Sequence, residues 1–153
     1  MELSSGKRIL CLKWHFKALN DFPQTYVKFI DKYLGVEGLL KLLQGRKDRR
    51  WEFVNLIYYK DIEIEKSFPG ILKGTIVKKL TDYQNNYARD FDRILLPKGY
   101  KKTLGGMTPK EVEEFDRLVW LPTVFDEFIL WLKRKKQGRK TFHFLLAGSC
   151  ERC

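Results

Sequence analysis

The stretch Ile71–Leu96, ILKGTIVKKLTDYQNNYARDFDRILL, decides whether this chain reads as helical or stranded. Ile76, Leu80, Tyr83, Tyr87, Phe91 and Ile94 step by three or four residues, the spacing that stacks side chains along one helix face. Lys78, Asp82, Asn85, Arg89 and Asp92 fall on the other face, where water solvates them. Pro69-Gly70 precedes the stretch and Pro97 ends it, since proline cannot continue a helix from within. The spacing predicts a long central helix that needs apolar partners.

Toward the N-terminus, Lys7–Asn20 is apolar nearly all round and predicts a buried helix. Asp21-Phe22-Pro23 is a break, and Pro23–Leu34 predicts a second helix with Val27, Ile30 and Leu34 on one face. Gly35 ends it, and Val36, Leu39, Leu40 and Leu43 mark a third, joined closely enough to form an αα-hairpin. The segment Asp31–Leu43, DKYLGVEGLLKLL, resembles helical-repeat sequences, yet no second copy follows and such arrays need about three units. Trp51–Tyr59 predicts a helix and Asp61–Lys66 a short strand.

Toward the C-terminus, Thr108-Pro109-Lys110-Glu111 is the sharpest local signal. Threonine caps, proline takes the first helical position, and Glu111 completes a capping box. Leu121-Pro122 predicts a break, Val124–Lys136 another helix, and Lys140–Ala147 a strand able to pair with Asp61–Lys66. The expected architecture is mainly α. It is a compact single-domain bundle of five to seven helices, with or without a small two-stranded β element. The domain spans 1–147 and a flexible tail spans 148–153.

A length of 153 residues suits one domain with its own core, and 11 Phe, 7 Tyr and 4 Trp argue against disorder. No apolar run approaches the roughly 20 residues of a membrane span. The N-terminal MELSSGKRILCLKWHF carries charges inside its apolar part, unlike a secretory signal. Three cysteines fit a reducing compartment better than a disulfide framework. The expectation is a soluble cytoplasmic protein without membrane contact, its oligomeric state left open.

The net charge of +11 is unevenly placed. Residues 41–50 hold five basic groups against one acid, 93–107 four against none, and 128–153 seven against one. Residues 108–127 hold six acids and two bases. Arg46, Lys47, Arg49 and Arg50 adjoin Trp51, Lys101 and Lys102 adjoin Tyr100, and Lys133, Arg134, Lys136, Arg139 and Lys140 adjoin Trp131 and Phe142. Cations neutralise phosphates and exposed rings stack on bases, so these residues predict non-enzymatic binding of DNA or RNA. The alternative is a protein-binding module (inhibitor, scaffold or virion-type subunit) that recognises an acidic protein partner.

Catalytic motifs are sparse. There is no GxxxxGK[ST], GxGxxG, GxSxG or HExxH, and the Asp61, Glu63, Glu65, Lys66 run lacks an acid-x-lysine triplet. Cys150 with His143 would place a nucleophile in a terminal tail. The expectation is therefore no enzyme and no cofactor. One structural zinc set deserves testing: Cys11 and His15, i and i+4 on the predicted first helix, with Cys150 and Cys153.

Overall fold

Alternate residues of Glu65–Ile76 are buried (Phe68, Gly70, Leu72, Gly74 and Ile76), which is the period of a strand. The computed structural model describes residues 7–86 and 89–137. In chain order the elements are β1 (Lys7–Phe16), a 3-10 turn (Lys17–Leu19), β2 (Phe22–Gln24), α1 (Val27–Tyr33) and α2 (Gly35–Leu42). They continue with β3 (Arg50–Lys60), β4 (Glu65–Ile76), a 3-10 turn (Asp90–Arg93), β5 (Leu95–Pro97), α3 (Pro109–Phe115) and α4 (Leu121–Gln137). The strands form one antiparallel sheet in the order β2-β1-β3-β4-β5.

β3 is its spine. It pairs with β1 from Lys7↔Lys60 to Phe16↔Trp51 and with β4 from Arg50↔Thr75 to Lys60↔Glu65. One face of β3 buries Trp51, Phe53, Asn55, Ile57 and Tyr59. α4 lies across that face: the Asn55 amide donates to the Val124 carbonyl at 2.9 Å, and Phe128 packs edge-on against Phe68 with Trp131 beside Tyr59. A larger cluster joins Trp51, Phe53, Leu72 and Ile76 of the sheet to Leu39 and Leu43 at α2, with Phe91 and Ile94 closing it.

The mainly α expectation is thus overturned by an α/β fold built on a five-stranded sheet. Among its described residues Ile71–Leu96 holds no α-helix: it comprises the end of β4, the 3-10 turn Asp90–Arg93 and the first residues of β5, with no regular element described between β4 and that turn. Gly70 and Gly74 occupy inward positions where a side chain would show the alternation. A Cβ at Gly70 would overlap the Thr123 carbonyl, and one at Gly74 the Leu96 carbonyl and the Trp51 ring. Lys7–Asn20 is likewise β1 and a 3-10 turn, because an all-round apolar run carries no period to separate buried helix from interior strand. Trp51–Tyr59 is strand, and Asp61–Ile64 is the turn that Asp61 closes by accepting from the Glu63 and Ile64 amides.

The helices stand close to their expected places. Thr108 accepts from the Glu111 amide while Glu111 accepts from the Thr108 amide, completing the capping box of α3. No break occurs at Pro122. A π turn over Asp116–Trp120 widens the backbone where the proline ring would meet the carbonyl four residues earlier, and the helical path runs on into α4. The expected strand Lys140–Ala147 and the tail 148–153 lie outside the described residues.

Candidate functional site

The turn that leaves α2 shapes a groove. Gly45 adopts φ +73°, a left-handed conformation that glycine takes without strain, and so turns the chain to present Arg46 and Lys47. Leu43 and Arg49 are buried at its base, Lys41 and Gln44 rise from α2 and its end, and Lys78 faces them from the segment after β4. The groove is open to solvent, with a volume of about 720 Å³.

Arg49 holds the two sides together. Its Nη1 donates to the Leu43 carbonyl at 2.9 Å, Nε to Ile76 at 2.8 Å and Nη2 to Val77 at 2.7 Å. Burial lowers its pKa from the usual arginine value, the expected effect on a cation removed from water without a carboxylate beside it. Asp48, the nearest acid in sequence, is taken by Arg50 at 2.6 Å, and that contact holds its carboxyl down at about 2. Among the described residues, Lys41, Arg46, Lys47 and Lys78 make no ion pair. Among the described residues, five cations therefore line the groove and no carboxylate does. Its chemistry is suited to an anion of several charges.

The segment after Lys78 is knitted into a polar loop bundle. Thr81 Oγ1 lies 2.5 Å from Thr103 Oγ1 and also approaches the Arg93 carbonyl at 2.7 Å, while Arg93 Nε donates to the Thr81 carbonyl. Asn85 is buried and donates to the Met107 carbonyl at 2.8 Å. Asp92 accepts from the Arg89 amide at 2.7 Å, and burial raises its carboxyl pKa. The backbone beside Lys78 is held at Val77, whose amide donates to the Ile94 carbonyl at 2.9 Å and whose carbonyl accepts from Arg49.

The groove gathers Arg46, Lys47 and Arg49 from the sequence-predicted set, and adds Lys41 and Lys78. Lys78 was hidden because its stretch reads as a helix remote from residues 41–50; only the β3–β4 pairing brings it across. Arg50 is paired with Asp48, and Lys102 with Glu111 at 2.8 Å. Lys101, Lys133 and Arg134 are exposed elsewhere. The side chain of Lys136 and all of Arg139 and Lys140 lie outside the described residues. Lys135 anchors α4 by pairing with Asp61, just beyond one end of β3, whereas Arg49 precedes the other. Ten strand steps separate those ends by about 33 Å, so the α4 cations and the groove are not one surface.

The zinc set does not assemble on its predicted helix. Cys11 and His15 sit on β1, where four residues span about 13 Å, too far for two ligands of one ion. Cys150 and Cys153 lie outside the described residues. Among the described residues no group of three or more His, Cys, Asp or Glu gathers to hold a metal. No described helix is long and apolar enough to cross a membrane.

Comparison with known proteins supplies what motifs did not. The family described as Ham1p_like, Ham1 family, matches residues 14–117. A dITP/XTP pyrophosphatase of Saccharolobus solfataricus is 34% identical over 113 residues, covering 74% of this chain and 57% of the relative. One of Thermococcus kodakarensis is 36% identical over 117 residues, covering 76% and 60%. The chain thus spans less than two thirds of the length of these curated relatives. The fold matches the Staphylococcus aureus Ham1 protein with a TM-score of 0.71 at 20% identity, over 88% of this chain and 70% of that one. These matches overturn the expectation of a non-enzymatic nucleic-acid binder with DNA, RNA or an acidic protein as partner. The relatives are named as enzymes, and dITP and XTP are free nucleotides.

Proposed function

The chain belongs to the Ham1 family, and on that premise we propose that it is a pyrophosphatase of nucleoside triphosphates of the dITP and XTP class. The family match over residues 14–117, shared with curated relatives named for this activity, carries the reading. In the proposed reaction the oxygen of a water bonds to the α-phosphorus, and the bond from that phosphorus to the α–β bridging oxygen breaks. A nucleoside monophosphate and pyrophosphate leave, and the proton lost by the water passes to solvent.

A triphosphate carries charge that must be offset while the bridging oxygen departs with more of it, which is the task of positioned cations. The groove beneath Gly45 supports the reading because its cations are free of carboxylate partners among the described residues.

The test is a substrate panel with added magnesium. Purified full chain is incubated with dITP, XTP, dATP and dGTP, and pyrophosphate is measured. Release from dITP and XTP well above that from dATP and dGTP is expected. Equal release from all four would contradict the substrate class, and release from none would contradict the activity.

A further inference from the structure

We propose that the free edge of β1 and the apolar trough beside it are a docking surface for Lys140–Ala147, the segment that follows α4. That segment adds to the sheet along β1, with Phe142, Phe144 and Leu146 covering Leu10 and Leu12. The proposal goes beyond the nucleotide chemistry and does not depend on it.

The edge is open by the register of its neighbours. β1 runs from Lys7 to Phe16, but β2 pairs only with Trp14, His15 and Phe16. Among the described residues Lys7–Lys13 therefore has β3 on one side and no strand on the other. The Phe16 carbonyl points away from β3, where it accepts from the Asp21 amide at 3.1 Å. By the strand's period of two, the Leu12 and Leu10 amides point to that same open side. Natural sheets cover or block such an edge.

The side chains at this edge are bare as well. Leu10 and Leu12 stand opposite Ile57 and Asn55, on the sheet face that α4 crosses. Yet they are 40% and 41% exposed, whereas Ile57 and Asn55 are buried. The path of α4 explains the difference. Thr123 sits over Gly70 of β4 and Val124 over Asn55 of β3. Each residue turns the helix by about 100°, so Phe125 swings toward β1, with Leu121 and Ile129 one turn to either side. Leu121 is 49% exposed and Ile129 40%. The helix flank and the two strand leucines thus border one apolar trough beside a strand edge, the setting that accepts an added amphipathic strand.

The occupant follows from where α4 delivers the chain. Lys135 pairs with Asp61, next to Lys60, and Lys60 stands opposite Lys7. α4 therefore ends at the end of the sheet where β1 begins, and residues 138–153 continue from there. Gly138 and Arg139 link the helix to Lys140, within the roughly two to six residues usual for such connections. Phe142, Phe144 and Leu146 alternate with Thr141, His143 and Leu145, which gives one face that is wholly apolar. From the Lys7 end this strand runs parallel to β1 and stops where β2 takes over the edge. Lys7 to Lys13 spans about 20 Å and Lys140 to Ala147 about 23 Å, so the lengths agree.

Residue-resolved amide hydrogen exchange on the full chain tests the proposal. The Leu10 and Leu12 amides and alternate amides of 140–147 are expected to exchange about 100-fold slower than in an unstructured chain. Phe144→Asp should return both sets to the unprotected rate, while the Cys11 amide, which faces β3, keeps its protection and reports that the sheet is intact. His143→Asp, on the other face of the segment, should leave all of them unchanged. Fast exchange of 140–147 in the natural chain overturns the proposal, and so does protection at Leu10 and Leu12 that survives Phe144→Asp. Protection at Leu10 and Leu12 that grows with protein concentration while 140–147 exchanges freely overturns it too, because a second copy would then hold the edge.

Discussion

Arg49 Nη2 donates to the Val77 carbonyl at 2.7 Å, so a cation on the turn after α2 fixes the point where the chain leaves β4. The same guanidinium holds Leu43 and Ile76, and one side chain thereby joins a helix end to a strand end. The Leu43 carbonyl at the close of α2 thus accepts from this guanidinium as well as from the Arg46 amide at 3.2 Å.

Arg49→Ala should cost about 2–4 kcal/mol, because three carbonyls lose a charged donor in a buried setting. Arg49→Lys should recover little of it, since an ammonium lacks the fork that reaches acceptors on two elements. Denaturant midpoints of the three proteins check both expectations. A wild-type midpoint for Arg49→Ala would contradict the anchoring role.

Gly70→Ala should destabilise by about 2–3 kcal/mol, as the added methyl must displace the Thr123 carbonyl and with it the start of α4. Thermal unfolding followed by tryptophan fluorescence reads the change, because Trp120 and Trp131 lie on the helical arm that would shift.

Helix capping gives a smaller effect. Thr108→Ala should cost about 1 kcal/mol by removing the acceptor for the Glu111 amide. Glu111 is itself held down at about 2 by Lys102 and by its bonds to Thr108. A midpoint shift in Thr108→Ala as large as that of Gly70→Ala would contradict a purely local cap.

The Asp61–Lys135 pair ties α4 to the β3–β4 turn and sets a pH dependence. The Lys135 side chain, with help from the Tyr59 hydroxyl, holds the Asp61 carboxyl well below its ordinary value of 3.8. A depressed folded pKa stabilises the fold above the unfolded value and loses that contribution as the carboxylate protonates. Asp61→Asn should therefore be less stable than the natural protein at neutral pH, and the gap should narrow as pH falls below 3.8. A gap independent of pH would contradict this origin.

The helical parts were legible because their signals are local. The capping box at Thr108, the Leu39–Leu43 spacing and the apolar stripe of Phe125, Phe128 and Leu132 need no tertiary partner to be read. The sheet was not, because its evidence is carried by absences. Gly70 and Gly74 are inward positions without side chains, and the remaining Ile76, Leu80, Tyr83 spacing imitates a helix. Part of the groove was visible as Arg46, Lys47 and Arg49, but Lys78 joins it only through strand pairing. Net charge led to nucleic acid as the partner, a reading that the family match overturns.

Phosphorus NMR of dITP incubated with the full chain and magnesium tests the central claim most directly, since it identifies the products as well as their amount. The account predicts that the triphosphate resonances give way to one pyrophosphate signal and one monophosphate signal, the first with twice the intensity of the second because pyrophosphate carries two equivalent phosphorus atoms. A spectrum that stays that of the triphosphate, or that shows inorganic phosphate released stepwise through a diphosphate, would contradict it.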